Sequence, residues 1–209
     1  MLVNKPREIS LNQLLHLGLQ SSTQHSLKAI ILHWTSGRYE QADNSYHLNI
    51  DGKGSILQTC YKLHELKAHT KNRNEATIGI ALCCGYQASY KDLGHIYYGP
   101  CPPTIQQVEQ AAKAIAVLCM TLGWKVSYNT VKTHFELALE NGYGPGSGEP
   151  VKRWDLAKVP KTANPTNFDL GGLIFRSRAL FYYNQLLEKR IYSFPAISIF
   201  VVRFICGHS

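Results

Sequence analysis

His33 closes the aliphatic run Lys28-Ala-Ile-Ile-Leu-His-Trp, His134 follows Val131-Lys132-Thr133, and Asp155 ends Lys152-Arg-Trp-Asp. The first two stretches read as strands. A rigid sheet aims the side chains at its strand ends, which is where catalytic groups are commonly held. Two imidazoles and one carboxylate suit zinc. Three protein ligands leave a fourth position for water, whose pKa bound zinc lowers to roughly 7, so hydroxide is available at neutral pH. Spacing alone does not single out this triple, because nine histidines and 14 acidic residues allow many others. The plain alternative for His33 and His134 is a half-buried imidazole bonded to backbone. For Asp155 it is a helix cap or a surface ion pair. Glu136 and Asp92 are rival carboxylates.

The elements that must carry these groups follow from periodicity. Ser10 is placed to cap a short helix bearing Leu11, Leu14, Leu15 and Leu19. Residues 28–34 and 77–84 are continuous aliphatic runs and read as buried strands. Residues 46–50 and 54–60 read as a hairpin turned at Asp51-Gly-Lys-Gly. Thr104, with Gln107 completing a capping box, opens the clearest helix, which carries Ile105, Val108, Ala112, Ile115, Leu118 and Cys119 and stops at Gly123. Residues 126–133 predict one more strand, 135–140 a short helical turn, and a last helix starts at Gly171. Residues 85–103 and 141–150 read as loops. The second lacks the Gly-Lys-Ser/Thr ending of a phosphate loop and reads as a spacer. The tail after Arg190 is aromatic and β-branched, either an added strand or an aggregation-prone segment.

These elements predict an α/β fold: a three-layer single domain with a mixed central sheet of about five strands flanked by helices. An N-terminal helical extension (1–26), a catalytic domain (27–160) and a C-terminal helix with its apolar tail (161–209) would divide the chain.

Composition narrows the function classes. Hydrophobic residues make up 44% and charged residues 17%, which is globular rather than disordered. Lys and Arg total 22 against 14 acids, a net charge of +8, and this favours an anionic partner such as nucleic acid, acidic lipid or cell wall. No recognition-helix or RNP signature accompanies the charge, so nucleic acid is not expected. The longest apolar stretch, 194–206, falls short of the roughly 20 residues a spanning helix needs, and Arg203 interrupts it, so no stable membrane insertion is expected. Lys5 and Arg7 are followed by no apolar run, which predicts no secretory signal and a protein that is cytoplasmic at synthesis. The six cysteines have no C-x-x-C pair and read as free thiols. A monomer is expected.

Five ordered stretches from about Leu27 to Leu156 resemble the zinc-dependent N-acetylmuramoyl-L-alanine amidase family, the fold of T7-type lysozyme and of the peptidoglycan recognition proteins. Ile30-Ile-Leu-His-Trp-Thr is similar to the family's first-ligand strand, and Ser45-Tyr-His-Leu-Asn-Ile-Asp-Gly-Lys-Gly to its hairpin. His69-Thr-Lys-Asn-Arg-Asn-Glu-Ala-Thr-Ile-Gly-Ile matches the family's H-A-x-x-x-N-x-x-S-I-G-I in spacing. Thr133-His-Phe-Glu resembles the second-ligand motif, and Arg153-Trp-Asp155 resembles the K-x-D that supplies the third.

The resemblance implies a zinc ion held by His33, His134 and Asp155. It implies Tyr46 as the tyrosine beside the metal-bound water, in place of the glutamate that other members carry where this chain has Ala81. Arg153 would be the cation that meets the developing oxyanion. His69 and Asn74 would line the groove and contact the stem peptide. The basic residues Lys62, Lys67, Lys71 and Arg73 flank His69 and read either as a solvated face or as a hold on an anionic glycan–peptide polymer. Two features depart from the family pattern: Leu156-Ala replaces the usual Pro-Gly, and twenty residues separate His134 from Asp155. The implied reaction is hydrolysis of the amide between N-acetylmuramic acid and L-alanine, in wall lysis or remodelling. The alternatives are a module that binds peptidoglycan without cutting it, and a cytosolic amidase that trims recycled muropeptides.

Overall fold

The computed structural model describes residues 5–23, 26–149, 153–164 and 167–193. The tail from 194 onward, including Cys206, lies outside the described residues. The elements are β1 (Arg7–Ile9), α1 (Leu11–Ser21), β2 (Ala29–Trp34), β3 (Leu48–Ile50), β4 (Ile56–Gln58), β5 (Thr77–Leu82), β6 (Ser89–Asp92), β7 (His95–Tyr97), α2 (Ile105–Leu122), β8 (Val131–Thr133), α3 (His134–Glu140), β9 (Lys158–Pro160), β10 (Phe168–Leu170) and α4 (Gly171–Ser193).

The main sheet is mixed and runs β1-β4-β3-β5-β2-β8. β3, β5, β2 and β8 are parallel, and β4 and β1 are antiparallel at one edge. Both central strands, β2 and β5, are buried along their whole length. Such strands lack polar alternation because helices cover both faces of a parallel sheet.

Alternation along β2 sorts the two faces. Ile30, Leu32 and Trp34 point into the large core shared with Val108, Ile115 and Leu118 of α2. Ala29 and Ile31 pack instead with Leu137 of α3. His33 has the parity of Ala29 and Ile31, so it belongs to the α3 face. The three-layer expectation holds: α1, α2 and α4 lie on one face and α3 on the other.

Capping sets the helix limits. Ser10, Thr104 and Thr133 each make a complete capping box, and Gly123 ends α2 in the left-handed conformation at φ 71°. Ile9, Leu14 and Leu17 near the N-terminus and Ile174, Phe175 and Ala179 of α4 share one core with α2.

The sheet holds one strand more than expected. β1 is only three residues long, too short for a periodicity signal. Of residues 126–133 only the last three are strand. Ser127 and Thr130 bond each other's side chains and backbone there, and such local bonds displace ladder pairing. The loop 85–103 contains the hairpin of β6 and β7. Its strands are largely exposed, so no hydrophobic pattern marks them.

Candidate active site

His33 sits one residue before the end of β2 and is fully buried. His134 is the first residue of α3, directly after β8, because Thr133 ends the strand and caps the helix, accepting the Glu136 N–H at 3.3 Å. Asp155 follows the Gly-rich loop. The N–H of Arg153 donates to the Tyr143 carbonyl at 3.2 Å, and the N–H of Phe135 donates to the Asp155 carbonyl at 3.3 Å. The next residue, Leu156, is buried at φ 57°. That is a costly conformation for a side chain with a Cβ, and the Leu156 side chain is seated in the main core.

Three chain segments thus bring three ligand atoms together. His33 Nδ1 lies 3.0 Å from His134 Nδ1 and 3.3 Å from Asp155 Oδ2. His134 Nδ1 lies 3.2 Å from both Asp155 carboxylate oxygens. A tetrahedral zinc with bonds of about 2.0 Å has ligand atoms about 3.3 Å apart, so the spacing fits that ion. Among the described residues, no other group of three such side chains converges.

The protonation states fit as well. Burial lowers the His33 pKa to about 4, despite the neighbouring Asp155 carboxylate, so its imidazole is neutral at pH 7. Burial alone would raise Asp155, but the two imidazoles beside it, His134 above all, hold its carboxyl well below the usual carboxylate range. Asp155 therefore brings one negative charge to the cluster.

The rival carboxylates are engaged elsewhere. Glu136 takes both arms of the Arg176 guanidinium at 2.8 Å and accepts the Thr133 N–H. Asp92 is paired with His95 on the exposed hairpin.

Tyr46 packs its ring 4.9 Å from that of His33, and its hydroxyl donates to the Trp34 carbonyl at 3.2 Å. Burial, together with Asp155 and Asp43, raises its pKa, so it stays a protonated donor. Ala81 pairs with His33 in register and is fully buried on the same face.

Two depressions flank the cluster. One is lined by Trp34, Gln87, Arg153 and Trp154, the other by His69, Lys71, Asn74, His134, Tyr143 and Arg153. Arg153 is exposed and lies on both sides of the divide. Trp154 packs edge-on against Trp34 at 4.6 Å, and its ring lies tilted against that of Tyr90 of the β6–β7 hairpin at 5.3 Å.

Asn74 lines the second depression, and its Oδ1 also accepts the N–H groups of His69 and Thr70 and the Thr70 hydroxyl. His69 is 7% exposed, with its Nδ1 3.0 Å from His33 Nε2. The basic residues around it are mostly occupied. Lys67 donates to the Thr59 carbonyl, Lys71 faces Glu149, and Arg73 donates to Asn141. The last two contacts tie the 69–76 segment to the Gly-rich loop across the groove.

Sequence reasoning read residues 141–150 as a spacer, yet they seat Tyr143 with its ring 5.9 Å from that of His134. An aromatic residue amid glycines was the available signal. His47 is fully buried: its Nδ1 accepts the Gly79 N–H and its Nε2–H donates to the Glu65 carbonyl. The described cysteines are free and buried, and burial pushes the Cys60, Cys83 and Cys119 thiols up to about 12.

His47 carries a pH prediction. Burial lowers its pKa to about 4 from 6.5. Between those values the unfolded chain binds the proton and the native chain does not, so stability falls as pH falls through that window. The loss attributable to this group is about 3 kcal/mol at most. Urea denaturation at pH 7 and pH 4.5 measures it. His47→Asn, which keeps an acceptor for Gly79, should flatten the dependence by a comparable amount, and equal pH dependences in the two proteins would refute the assignment.

The sequence profile of the N-acetylmuramoyl-L-alanine amidases matches residues 23–147, more than half of the chain. The chain belongs to this family. No curated protein gives a significant match. The amidase match covers His33, Tyr46, His69, Asn74 and His134 and stops before Arg153 and Asp155, yet Asp155 joins the cluster and Arg153 lines both flanking depressions. Membership in the amidase family supports activity on peptidoglycan. Among the described residues, no helix is long and apolar enough to cross a membrane.

Proposed function

We propose that this protein is a zinc-dependent N-acetylmuramoyl-L-alanine amidase, which hydrolyses the bond between the lactyl carbonyl of N-acetylmuramic acid and the amine of L-alanine. The observation that carries the reading is the convergence of His33 Nδ1, His134 Nδ1 and the Asp155 carboxylate within 3.0 to 3.3 Å of one another. These three residues would hold the ion. When bound, zinc supplies a Lewis acid for the scissile carbonyl and makes water nucleophilic at neutral pH.

The chain's own residues do the rest. The groove orients the substrate with the stem peptide along His69, Asn74 and Tyr143. Tyr46 offers a hydroxyl that stays protonated beside the cluster, and Arg153 brings a fixed positive charge to the same place. Both act where charge develops on the carbonyl oxygen, and a donor in that position is worth about 3 kcal/mol of barrier. Arginine suits the role through its permanent charge, although its planar fork reaches differently from a lysine.

Digestion of purified peptidoglycan, followed by mass spectrometry, tests the reading. Peptide-free glycan strands and stem peptides with a new L-alanine amine are expected. They should disappear on chelation and return when zinc is added. Chains cut between sugars would overturn the bond assignment. Stoichiometric zinc and wall binding without new amines would establish a recognition module instead. Running polymer and soluble muropeptide side by side separates a wall-lytic enzyme from a recycling one.

A further inference from the structure

We propose that His69 is a positioning residue for the metal centre, fixing the tautomer and ring orientation of His33 through a one-way chain of hydrogen bonds that ends on a backbone carbonyl. The proposal rests on the metal reading above.

The chain is read from its far end. The Arg73 carbonyl can only accept, so the Thr77 hydroxyl, 2.8 Å away, donates to it. That leaves Thr77 Oγ1 a lone pair for His69 Nε2, at 3.3 Å, with the Thr77 carbonyl 3.4 Å from the same nitrogen. His69 therefore carries its proton on Nε2 and presents a bare Nδ1. That nitrogen lies 3.0 Å from His33 Nε2, which must donate. His33 then has no proton on Nδ1, the atom that faces His134 and Asp155. Each link follows from the donor and acceptor inventory of these groups. Without it, a neutral His33 could place its proton on either nitrogen, and one of the two forms cannot bind a metal through Nδ1.

The surroundings hold His69 in this role. Its ring lies over Gly79 of β5, where a Cβ would come within 2.9 Å of the ring. The ring of His47 stands edge-on 5.7 Å away, and Asn74 grips the His69 N–H at 3.0 Å.

The test uses the full-length protein and zinc itself, with affinity measured by competition against a chromophoric chelator. His69→Phe keeps the ring volume and deletes the acceptor, and it should weaken zinc binding by about 10- to 100-fold. His69→Gln, whose amide oxygen can take the His33 proton, should recover most of that loss. If wild-type protein holds no stoichiometric zinc, the metal reading itself fails. If wild-type binds zinc tightly and His69→Phe binds it equally well while KM for peptidoglycan rises, His69 is a groove residue and the positioning role is overturned. Should His69→Phe fail to fold, Thr77→Val removes one link at constant shape, and zinc binding about 2- to 10-fold weaker is expected. Unchanged affinity in that variant would overturn the proposal as well.

Discussion

Replacing Asp155 by alanine is expected to lower amide hydrolysis by at least about 10³-fold, since a bound metal contributes several kcal/mol to the barrier and each 1.36 kcal/mol is tenfold. Asp155 is 6% exposed and supplies the only negative charge in the cluster. The imidazoles of His33 and His134 would remain, and two ligands hold zinc far less tightly than three. Asp155→Asn tests charge apart from shape, and it should be nearly as damaging because the amide is a poor zinc ligand. Zinc content after dialysis and rate on peptidoglycan are the measurements, with melting of the metal-free proteins as the folding control. A variant with full zinc and activity within tenfold of wild type would show that another group completes the site.

Gly171→Ala is expected to destabilise the protein by about 3 kcal/mol, at the upper end of overpacking costs, and to lower its melting temperature by about 10 °C for a chain of this size. A Cβ on Gly171 would stand 2.1 Å from the Leu156 carbonyl oxygen. The obstacle is backbone, so relief requires the first turn of α4 and the 155–157 turn to separate. The Gly171 N–H also donates to the Ala157 carbonyl at 3.0 Å. The displacement therefore reaches Asp155 through one peptide, and zinc affinity should fall together with stability. Gly148→Ala is the control. A Cβ there meets no atom within 4 Å, and its melting temperature should stay within about 2 °C of wild type. A Gly171→Ala protein that melts like wild type would mean that the helix and the turn are not in contact.

The second experiment also bears on how far the functional unit extends. α4 lies beyond the stretch matched by the family, yet its first residue abuts the turn that presents Asp155. Arg176, one turn further on, holds Glu136 of α3 with both arms. Glu136 in turn accepts the Thr133 N–H just ahead of His134. Two of the three candidate ligands are thus braced from the C-terminal helix.

Much of the frame was legible in the chain itself. Ile30 to Leu32 and Ile78 to Leu82 are long aliphatic runs, and such runs have few destinations other than a covered parallel sheet. The cap at Ser10 and the capping box at Thr104 are local signals, so they survive without tertiary context. The hairpin at Asp51 is local for the same reason. Elements without such signals were invisible. β1 has three residues, and the β6–β7 hairpin is exposed and meets Trp154 through Tyr90.

The sequence by itself determined the types of the candidate ligands, the strands and turn that could carry them, and through its ordered motifs the family. Tertiary structure decided whether Asp155, the carboxylate that the ordered motifs point to, reaches the two histidines. Its rivals Glu136 and Asp92 are claimed in space by Arg176 and His95. It also decided that a glycine-rich stretch seats Tyr143 against His134, and that His69 faces the outer nitrogen of His33. The physical reason is common to all three: hydrogen bonds and charge pairs act over about 3 Å and ring contacts over a few ångströms more, and only folding brings residues 33, 69, 134, 143 and 155 within those ranges.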